Sequence, residues 1–223
     1  MATANLLEAA RNKGWRRFVL ISTGSVFQCR ADTVTAILED EPPAPQNIYS
    51  TTKASAETLV GMYGTEFDLS TAAVRISWVY GPPVIADAPT RGPIPSYLLR
   101  ALRGEAITET GGDFAASFTF VSDVAAGLLA MVDAPRLSYA TYHLGPGRNL
   151  SVRDVAAAVE AVVPGATIEL GGGTEPWTAF TALRGPLAGT RLRDDTGFEP
   201  AYSLADGIAA YAAWMRDNRA LWT

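Results

Sequence analysis

Short apolar runs alternate with amphipathic segments along the first third of the chain. Residues 2–13 carry apolar side chains at helical spacing and predict a helix, while the continuous apolar run at 17–22 predicts a buried strand. A polar, proline-containing stretch at 28–48 predicts a surface loop. Helical spacing resumes at 49–63, and Gly64 is expected to end this second helix.

The rest of the chain extends this pattern with shorter elements. A second buried strand is predicted over 69–76, and the alternation of apolar strands with helices is typical of a parallel, doubly wound α/β sheet. Beyond Pro83, loops and shorter helices dominate, and a Gly/Pro-rich stretch at 171–189 predicts a loop. The later elements predicted by spacing and capping residues are helices at 95–103, 123–132, 151–163 and 203–218 and strands at 141–144 and 167–170.

A tyrosine and a lysine stand at the start of the second predicted helix. Tyr49 and Lys53 are four residues apart, which places them next to each other on one helical face. Lysine is scarce, because only Lys13 and Lys53 among the 18 basic residues are lysines. A cation beside a phenol stabilises the phenolate, and a tyrosine so placed can exchange protons near neutral pH. The pair therefore indicates acid/base chemistry.

Composition narrows the possible partners and compartments. A net charge of −5, a pI of about 4.9 and the lack of any basic run argue against nucleic acid as a partner. No apolar run approaches the roughly 20 residues that span a bilayer, so we expect no membrane association. Cys29 is the only cysteine and His143 the only histidine, so we expect a reducing, cytoplasmic location and no metal site.

Several segments, taken in order, resemble one known family. The family is the extended short-chain dehydrogenases/reductases, in their NAD-dependent epimerase/dehydratase group. The resemblance covers nearly the whole chain and is carried by the helix at 3–11, the strand and turn at 18–27 with its Ile-Ser-Thr, the Tyr-x-x-x-Lys at 49–53, the strand and exit at 75–82, the Phe-x-x-Val-x-Asp-Val at 118–124 and the Thr-Gly-Phe-Glu-Pro at 196–200.

The resemblance implies an incomplete Rossmann-like sheet with a smaller C-terminal substrate-binding portion. Residues 1–82 correspond to the later part of a dinucleotide-binding domain, and 83–223 mainly to the substrate portion, with segments near 118–146 returning to the main domain. No Gly-rich phosphate turn lies before Tyr49. We therefore expect about a hundred residues to be missing from the front, through a truncated gene model or a naturally shortened paralogue.

The resemblance also implies roles for individual residues. Tyr49 would be the general acid/base for a substrate hydroxyl, Lys53 would stabilise its phenolate and bind the nicotinamide ribose, and Thr23 would hydrogen-bond the reacting oxygen. The cofactor would be NAD or NADP, whose hydride chemistry the protein only positions. Further cofactor contacts are expected from Ser22 and Ser77.

Substrate contacts are expected from Ser25, Trp78 and Arg184. Two departures bear on the substrate. Ala116 stands where family members that act on nucleotide sugars often have a phosphate-binding arginine, and Trp78 stands where they place an asparagine. Arg184 resembles a later phosphate-contacting arginine, and the alternative is a solvated loop residue. These departures favour a smaller sugar or sugar acid over a nucleotide sugar.

The function expected from the resemblance is NAD(P)-dependent oxidation, reduction or epimerisation of a sugar, sugar acid or nucleotide sugar. Epimerase, dehydratase and dehydrogenase stay open, because all three begin with the same hydride transfer. The alternative is a non-catalytic truncated paralogue that acts as a dimerisation or interaction module. Family members often dimerise through the helices that correspond to 2–13 and 49–63, so a homodimer is expected.

Overall fold

The computed structural model describes residues 2–178 and 181–223, which form two compact units. The predicted loop at 171–189 therefore lies partly outside the described residues. Unit 1 comprises the chain up to Ser77, Val124–Arg148 and Arg184–Pro200, and unit 2 comprises Trp78–Asp123, Asn149–Leu183 and Ala201–Thr223. Each unit has its own hydrophobic core. No described helix is long and apolar enough to cross a membrane.

The elements follow the predicted order, with small shifts at their ends. The helices are α1 Ala2–Asn12, α2 Ile48–Glu66, α3 Pro93–Leu102, α4 Val121–Asp133, α5 Val152–Val162, α6 Arg191–Thr196 and α7 Leu204–Asp217. The strands are β1 Phe18–Thr23, β2 Thr71–Ile76, β3 Val79–Tyr80, β4 Ile107–Glu109, β5 Ala115–Ala116, β6 Thr119–Phe120, β7 Thr141–Leu144, β8 Leu150–Ser151 and β9 Ile168–Leu170. Short 3₁₀ turns lie at Gly24–Phe27, Pro89–Arg91 and Arg219–Leu221.

Unit 1 is built on a parallel sheet in the order β1-β2-β7. β1 and β2 pair in a register that sets Ser22 opposite Arg75. Because side chains alternate between faces, Phe18, Leu20 and Ser22 share the face that α1 and α2 cover. The opposite face packs against α4 through the cluster that includes Val74. The sheet is therefore covered on both faces, as expected for parallel strands.

The second helix starts as predicted but continues past the predicted end. Asn47 and Ser50 form a capping box, in which each side chain accepts the backbone N–H of the other. α2 runs through Gly64 to Glu66, so the expectation that Gly64 ends the helix is wrong. A Cβ at Gly64 would overlap Thr71 Oγ1, so the glycine allows α2 to pack closely on β2.

Unit 2 is held by a core between α3, α5 and α7. Around it lie the parallel pairs β3–β6 and β4–β9 and the antiparallel pair β5–β8. Ser151 and Ser203 cap α5 and α7 as predicted, each accepting a backbone N–H three residues ahead. The pattern missed the two-residue strands and the six-residue α6, because elements this short carry too few residues to show a period.

Candidate active site

The carboxyl end of β1 turns sharply into a single 3₁₀ turn. Thr23, the last residue of β1, is buried, and its Oγ1 accepts the backbone N–H of Ser25 at 3.1 Å. This bond caps the turn. Val26 and Phe27 of the turn are buried in a cluster against which Ala54 of α2 packs. This packing places α2 beside the end of β1.

Tyr49 and Lys53 lie in the first turns of α2, next to that end. Lys53 Nζ donates to the backbone carbonyl of Ile21 in β1 at 2.8 Å. Tyr49 stands one helical turn earlier on the same face and is 55% exposed, so its phenol is open to a ligand. The structure therefore brings the predicted trio of Thr23, Tyr49 and Lys53 to one end of the sheet in unit 1.

The hydroxyl of Ser22 has a hydrogen-bond partner that the sequence patterns did not reveal. It is buried, and its Oγ donates to the carboxylate of Glu57. Glu57 follows Lys53 by four residues, so Tyr49, Lys53 and Glu57 lie on one face of α2. The hydroxyl of Ser22 is thus directed into the protein, between β1 and α2.

Glu57 also forms a buried ion pair with Arg75 of β2. Arg75 Nη2 lies 2.7 Å from Glu57 Oε2, and the two side chains retain only 4% and 7% exposure. The guanidinium lies over the ring of Phe27, with Cζ 4.8 Å from the ring centroid. The sequence shows an arginine inside an apolar strand and a glutamate one turn after Lys53, but it does not link the two.

His143 of β7 completes this buried polar cluster. Its Nδ1 lies 2.8 Å from the carbonyl of Ala188, and its Nε2 lies 3.5 Å from Nη1 of Arg75. A neutral ring that donates from Nδ1 and accepts at Nε2 satisfies both contacts. Burial, reinforced by the charges of Arg75 and Arg191, lowers the pKa of His143 to about 4. The imidazole of His143 is therefore packed and hydrogen-bonded inside unit 1.

Arg184 and Ser77 meet in unit 1, close to the 3₁₀ turn. Arg184 Nη2 donates to Ser77 Oγ at 3.1 Å, and a Cβ at Gly24 would lie 3.2 Å from the guanidinium. Arg184 is 9% exposed, and burial lowers its pKa to about 10. The alternative that Arg184 is a solvated loop residue is therefore wrong. Ser25, which follows Gly24 in the turn, is half-buried.

Trp78 belongs to unit 2 and to an aromatic cluster there. Its ring lies 4.8 Å from that of Trp177 in an edge-on arrangement, and Trp177 makes a similar contact with Phe114. Both tryptophans are half-buried against the unit 2 core. Trp78 is expected to contact the substrate, and it lies among aromatic side chains of the kind that line ligand sites.

The described residues fit the nicotinamide ribose of a dinucleotide better than its pyrophosphate. The exposed phenol of Tyr49 and the ammonium of Lys53 can meet a nicotinamide ribose. A pyrophosphate needs a strand, a Gly-rich turn and a helix N-terminus, and residues 2–178 and 181–223 contain no such unit. Gly24, at the end of β1, is covered by Leu187 and Arg184 and leaves no cradle there.

A parallel sheet with a hydroxyl at a strand end, followed by Tyr-x-x-x-Lys on the next helix, defines a class of dinucleotide-dependent enzymes that act on hydroxyl and keto groups. Comparison with known proteins identifies the family within this class. Residues 1–145 match the model of the NAD dependent epimerase/dehydratase family, and the chain belongs to that family.

Individual relatives share this assignment. The chain is 28% identical to a dTDP-glucose 4,6-dehydratase of Streptomyces griseus, over 99% of this chain and 65% of the relative. It is 31% identical to a low-salt glycan biosynthesis protein of Haloferax volcanii, over 93% of this chain and 64% of the relative. The chain therefore spans about two thirds of the length of these relatives.

Solved structures give the same fold. A dTDP-glucose 4,6-dehydratase from Bacillus anthracis in complex with NAD matches with a TM-score of 0.82 and 23% identity, covering 99% of this chain and 68% of that one. A structure of MoeE5 in complex with UDP-glucuronic acid and NAD matches with a TM-score of 0.80 and 28% identity, covering 97% of this chain and 70% of that one. The family is NAD-dependent, and these relatives hold NAD.

Proposed function

We propose that this chain carries the acid/base face of an NAD-dependent enzyme that oxidises, reduces or epimerises a sugar. One observation carries the proposal: α2 presents an exposed tyrosine and, one turn later, a lysine that is bonded to β1 beside the buried hydroxyl of Thr23. Membership of the NAD-dependent epimerase/dehydratase family supports the same chemistry.

In this proposal Tyr49 takes the proton from a substrate hydroxyl and returns it when the carbonyl is reduced. Lys53 stabilises the phenolate through its positive charge, since it lies one helical turn away. Thr23 fixes the reacting oxygen by a hydrogen bond from its hydroxyl. NAD, when bound, supplies the hydride acceptor and donor.

We assign supporting roles to the other predicted residues. Ser22 has a positioning role, because its hydroxyl is buried and donates to the carboxylate of Glu57. Ser77 is proposed to face the cofactor, and Arg184, which donates to it, to face the substrate together with Ser25.

The proposed substrate is sugar-like, because relatives are named for dTDP-glucose and UDP-glucose. Ala116, buried in β5, supplies no charge for a phosphate and favours a smaller sugar or sugar acid. Unit 1 is then the nucleotide-side portion and unit 2, with Trp78, the substrate-side portion. The single cysteine, Cys29, supports a reducing cytoplasm as the compartment.

The test uses the purified chain with millimolar NAD⁺ or NADP⁺ and a panel of glucose, glucuronic acid, UDP-glucose and UDP-glucuronic acid. The sugars are followed by NMR, because epimerisation and dehydration return the hydride to the sugar, and the absorbance of the reduced cofactor reports net oxidation. Because the described residues hold no pyrophosphate cradle, the cofactor is supplied in excess. Under this condition we expect turnover with at least one sugar, and the Tyr49→Phe variant to lose about 10²- to 10⁴-fold in rate. Tyr63→Phe is the matched control, because Tyr63 lies on the same helix but donates to Glu8 at 2.6 Å.

Two results would contradict this function. One is the absence of both cofactor binding by calorimetry and turnover, and the other is an equal loss of rate in the Tyr49→Phe and Tyr63→Phe variants. Either result would favour the alternative, a non-catalytic interaction module.

We further propose that two copies of the chain pair through α1 and α2. Leu6 on α1 and Leu59 and Met62 on α2 are 51%, 39% and 48% exposed. Leu59 and Met62 are three residues apart on one face of α2, and α2 contacts α1, which carries Leu6. Pairing of such surfaces across a two-fold axis would bury them.

A further inference from the structure

The segment of unit 1 that begins with Arg184 is held in place by a second loop of the same unit. Residues 184–189, which we call the strap, belong to no helix or strand. Their regular backbone contact is a parallel bridge between Leu187 and Ile37, flanked by two hydrogen bonds of 2.8 and 2.9 Å between the strap and the backbone of Ile37. The strap therefore depends for its position on contacts with the loop around Ile37.

Two glycines of the strap lie against this loop, one on each side of the bridge. A Cβ at Gly185 would overlap the carbonyl oxygen of Thr35, and a Cβ at Gly189 would overlap the carboxylate of Glu39. Together with the bridge, these contacts fall at every second residue on both segments, as they do between parallel strands. Glycine permits the close approach at both ends. The loop thus lies along the whole length of the strap.

Glu39 makes the last of these contacts, and it is buried. It is 7% exposed, and its carboxylate accepts the backbone N–H of Arg191 at 3.3 Å. Its backbone carbonyl accepts Nη1 of Arg75 at 3.3 Å, so a buried arginine of β2 fixes the main chain from which the carboxylate extends. A buried carboxylate is costly unless it is hydrogen-bonded. The side chain of Glu39 is therefore held in one place, against Gly189.

The other end of the strap reaches the candidate active site. Leu187 is buried in the cluster that contains the 3₁₀ turn after β1. A Cβ at Gly24 of this turn would lie 3.1 Å from Leu187 and 3.2 Å from the guanidinium of Arg184. Arg184 also donates to Ser77 Oγ at 3.1 Å. A displaced strap would therefore take Arg184 away from the turn and from Ser77.

We propose that Glu39 is a positioning residue for substrate recognition: its carboxylate fixes the strap and thereby holds Arg184 at the candidate active site. The substrate role of Arg184 rests on the proposed function, whereas the order of the strap can be measured without substrate. Tyr49 and Lys53 are placed by α2, and Lys53 is bonded to β1. Loss of the Glu39 carboxylate should therefore impair substrate binding and not proton transfer.

The first experiment measures hydrogen exchange of the full chain without ligand by mass spectrometry. In the Glu39→Ala variant we expect the peptide that contains Ala188 to exchange at least about tenfold faster, while the amides of β2 keep their rates. Glu39→Asp, which keeps the charge but has a shorter side chain, should show the same local effect. Glu39→Gln should restore slow exchange, because its amide oxygen can accept the N–H of Arg191.

Asp40→Ala is the matched control. It removes the same charge from the neighbouring position, but the side chain of Asp40 is 86% exposed and pairs with the guanidinium of Arg191. Such exposed pairs contribute little to stability. This variant should keep the wild-type exchange of the strap.

The second experiment measures steady-state kinetics with the sugar that the wild type turns over fastest. We expect Glu39→Ala to raise KM at least about tenfold and to change kcat less than about threefold, because binding and not the transition state alone is affected. Arg184→Lys should raise KM as well. The double variant should be no worse than the more impaired single variant, since both substitutions remove one interaction.

Several results would overturn the positioning role of Glu39. They are unchanged exchange of the strap in Glu39→Ala, equal acceleration in the strap and β2, an equal effect of Asp40→Ala, a lower kcat at constant KM, and additive losses in the double variant. No turnover by the wild type would instead overturn the proposed function and the substrate role of Arg184 with it, and hydrogen exchange would still decide whether Glu39 fixes the strap.

Discussion

At the scale of single residues, a buried charge cluster supports the candidate acid/base face. Glu57 accepts from Ser22 and pairs with Arg75, and both charged side chains are almost completely removed from water. Burying two charges is costly, and the pair is stable because each charge is compensated by the other and by hydrogen bonds. Loss of one partner would leave the other charge buried alone.

We therefore expect Glu57→Gln to lower the free energy of unfolding by about 3–5 kcal/mol, measured by urea denaturation. Glu199→Gln is the control, because Glu199 is 70% exposed and lies 3.9 Å from Arg193, and such a surface pair contributes at most about 1 kcal/mol. The double variant Glu57→Gln with Arg75→Met should regain part of the loss. Equal effects of Glu57→Gln and Glu199→Gln would show that the buried pair does not stabilise the fold.

His143 makes a second residue-scale prediction, on the pH dependence of stability. Its pKa in the folded chain is about 4, compared with 6.5 for an unperturbed histidine. Below pH 6.5 the unfolded chain therefore binds a proton that the folded chain refuses until about pH 4. Stability from this residue is constant above pH 6.5 and falls as the pH drops toward 4, by about 3 kcal/mol in total.

The measurement is the free energy of unfolding of the wild type and of His143→Gln from about pH 7.5 to about pH 4.5. His143 is the only histidine, so the difference between the two curves isolates its protonation. We expect the wild type to lose about 2–3 kcal/mol more than the variant over this interval. Parallel curves would mean that the imidazole is already accessible to protons in the folded chain.

The sequence predicted those site residues that lie close to one another along the chain. Tyr49 and Lys53 are linked by helical spacing alone, and both lie on α2 as that spacing predicts, with Lys53 bonded to the carbonyl of Ile21, two residues before Thr23. The Glu57–Arg75 pair could not be read in the same way. Its partners are 18 residues apart, and they meet because α2 packs on β2. Tertiary pairing of this kind leaves little trace in a single sequence.

At the scale of elements, α2 contains two glycines with opposite expected responses to alanine. Glycine inside a helix costs roughly 0.5–1 kcal/mol relative to alanine. A Cβ at Gly61 would meet nothing within 4 Å, whereas one at Gly64 would overlap Thr71 Oγ1, which donates to the carbonyl of Val60 at 2.8 Å. Both glycines lie inside α2, and they differ in the space available to a Cβ.

We expect Gly61→Ala to raise the free energy of unfolding by about 0.5–1 kcal/mol and Gly64→Ala to lower it by about 1–3 kcal/mol, measured by thermal and urea denaturation. Stabilisation by both substitutions would show that α2 can move away from β2 without cost. The same contact explains why the predicted helix end was wrong. Glycine permits close packing as well as chain reversal, and a sequence alone does not distinguish these uses.

At the scale of the whole molecule, the chain carries two separate cores and spans about two thirds of the length of its relatives. The alternation of strands and helices predicted the parallel sheet of unit 1, because long buried elements have clear periods. The composition of unit 2 from three separate segments was beyond such reasoning, since it depends on contacts between distant parts of the chain. Among the described residues β1 and β7 each pair only with β2, so the outer edge of β1 is open, as is that of β7.

The exposed apolar surface of α1 and α2 leads to a prediction about assembly. We expect the chain to form dimers at micromolar concentration in sedimentation equilibrium, and Leu59→Lys to weaken dimerisation by at least about tenfold, because a charge buried in an apolar interface loses its hydration. Leu129→Lys is the matched control: Leu129 is 62% exposed on α4, a different helix, and its replacement should leave the dimer unchanged. A monomeric wild type would exclude the dimer. Equal weakening by both variants would exclude α1 and α2 as the contact and would direct attention to the open edge of β1, where unpaired backbone groups can also join two chains.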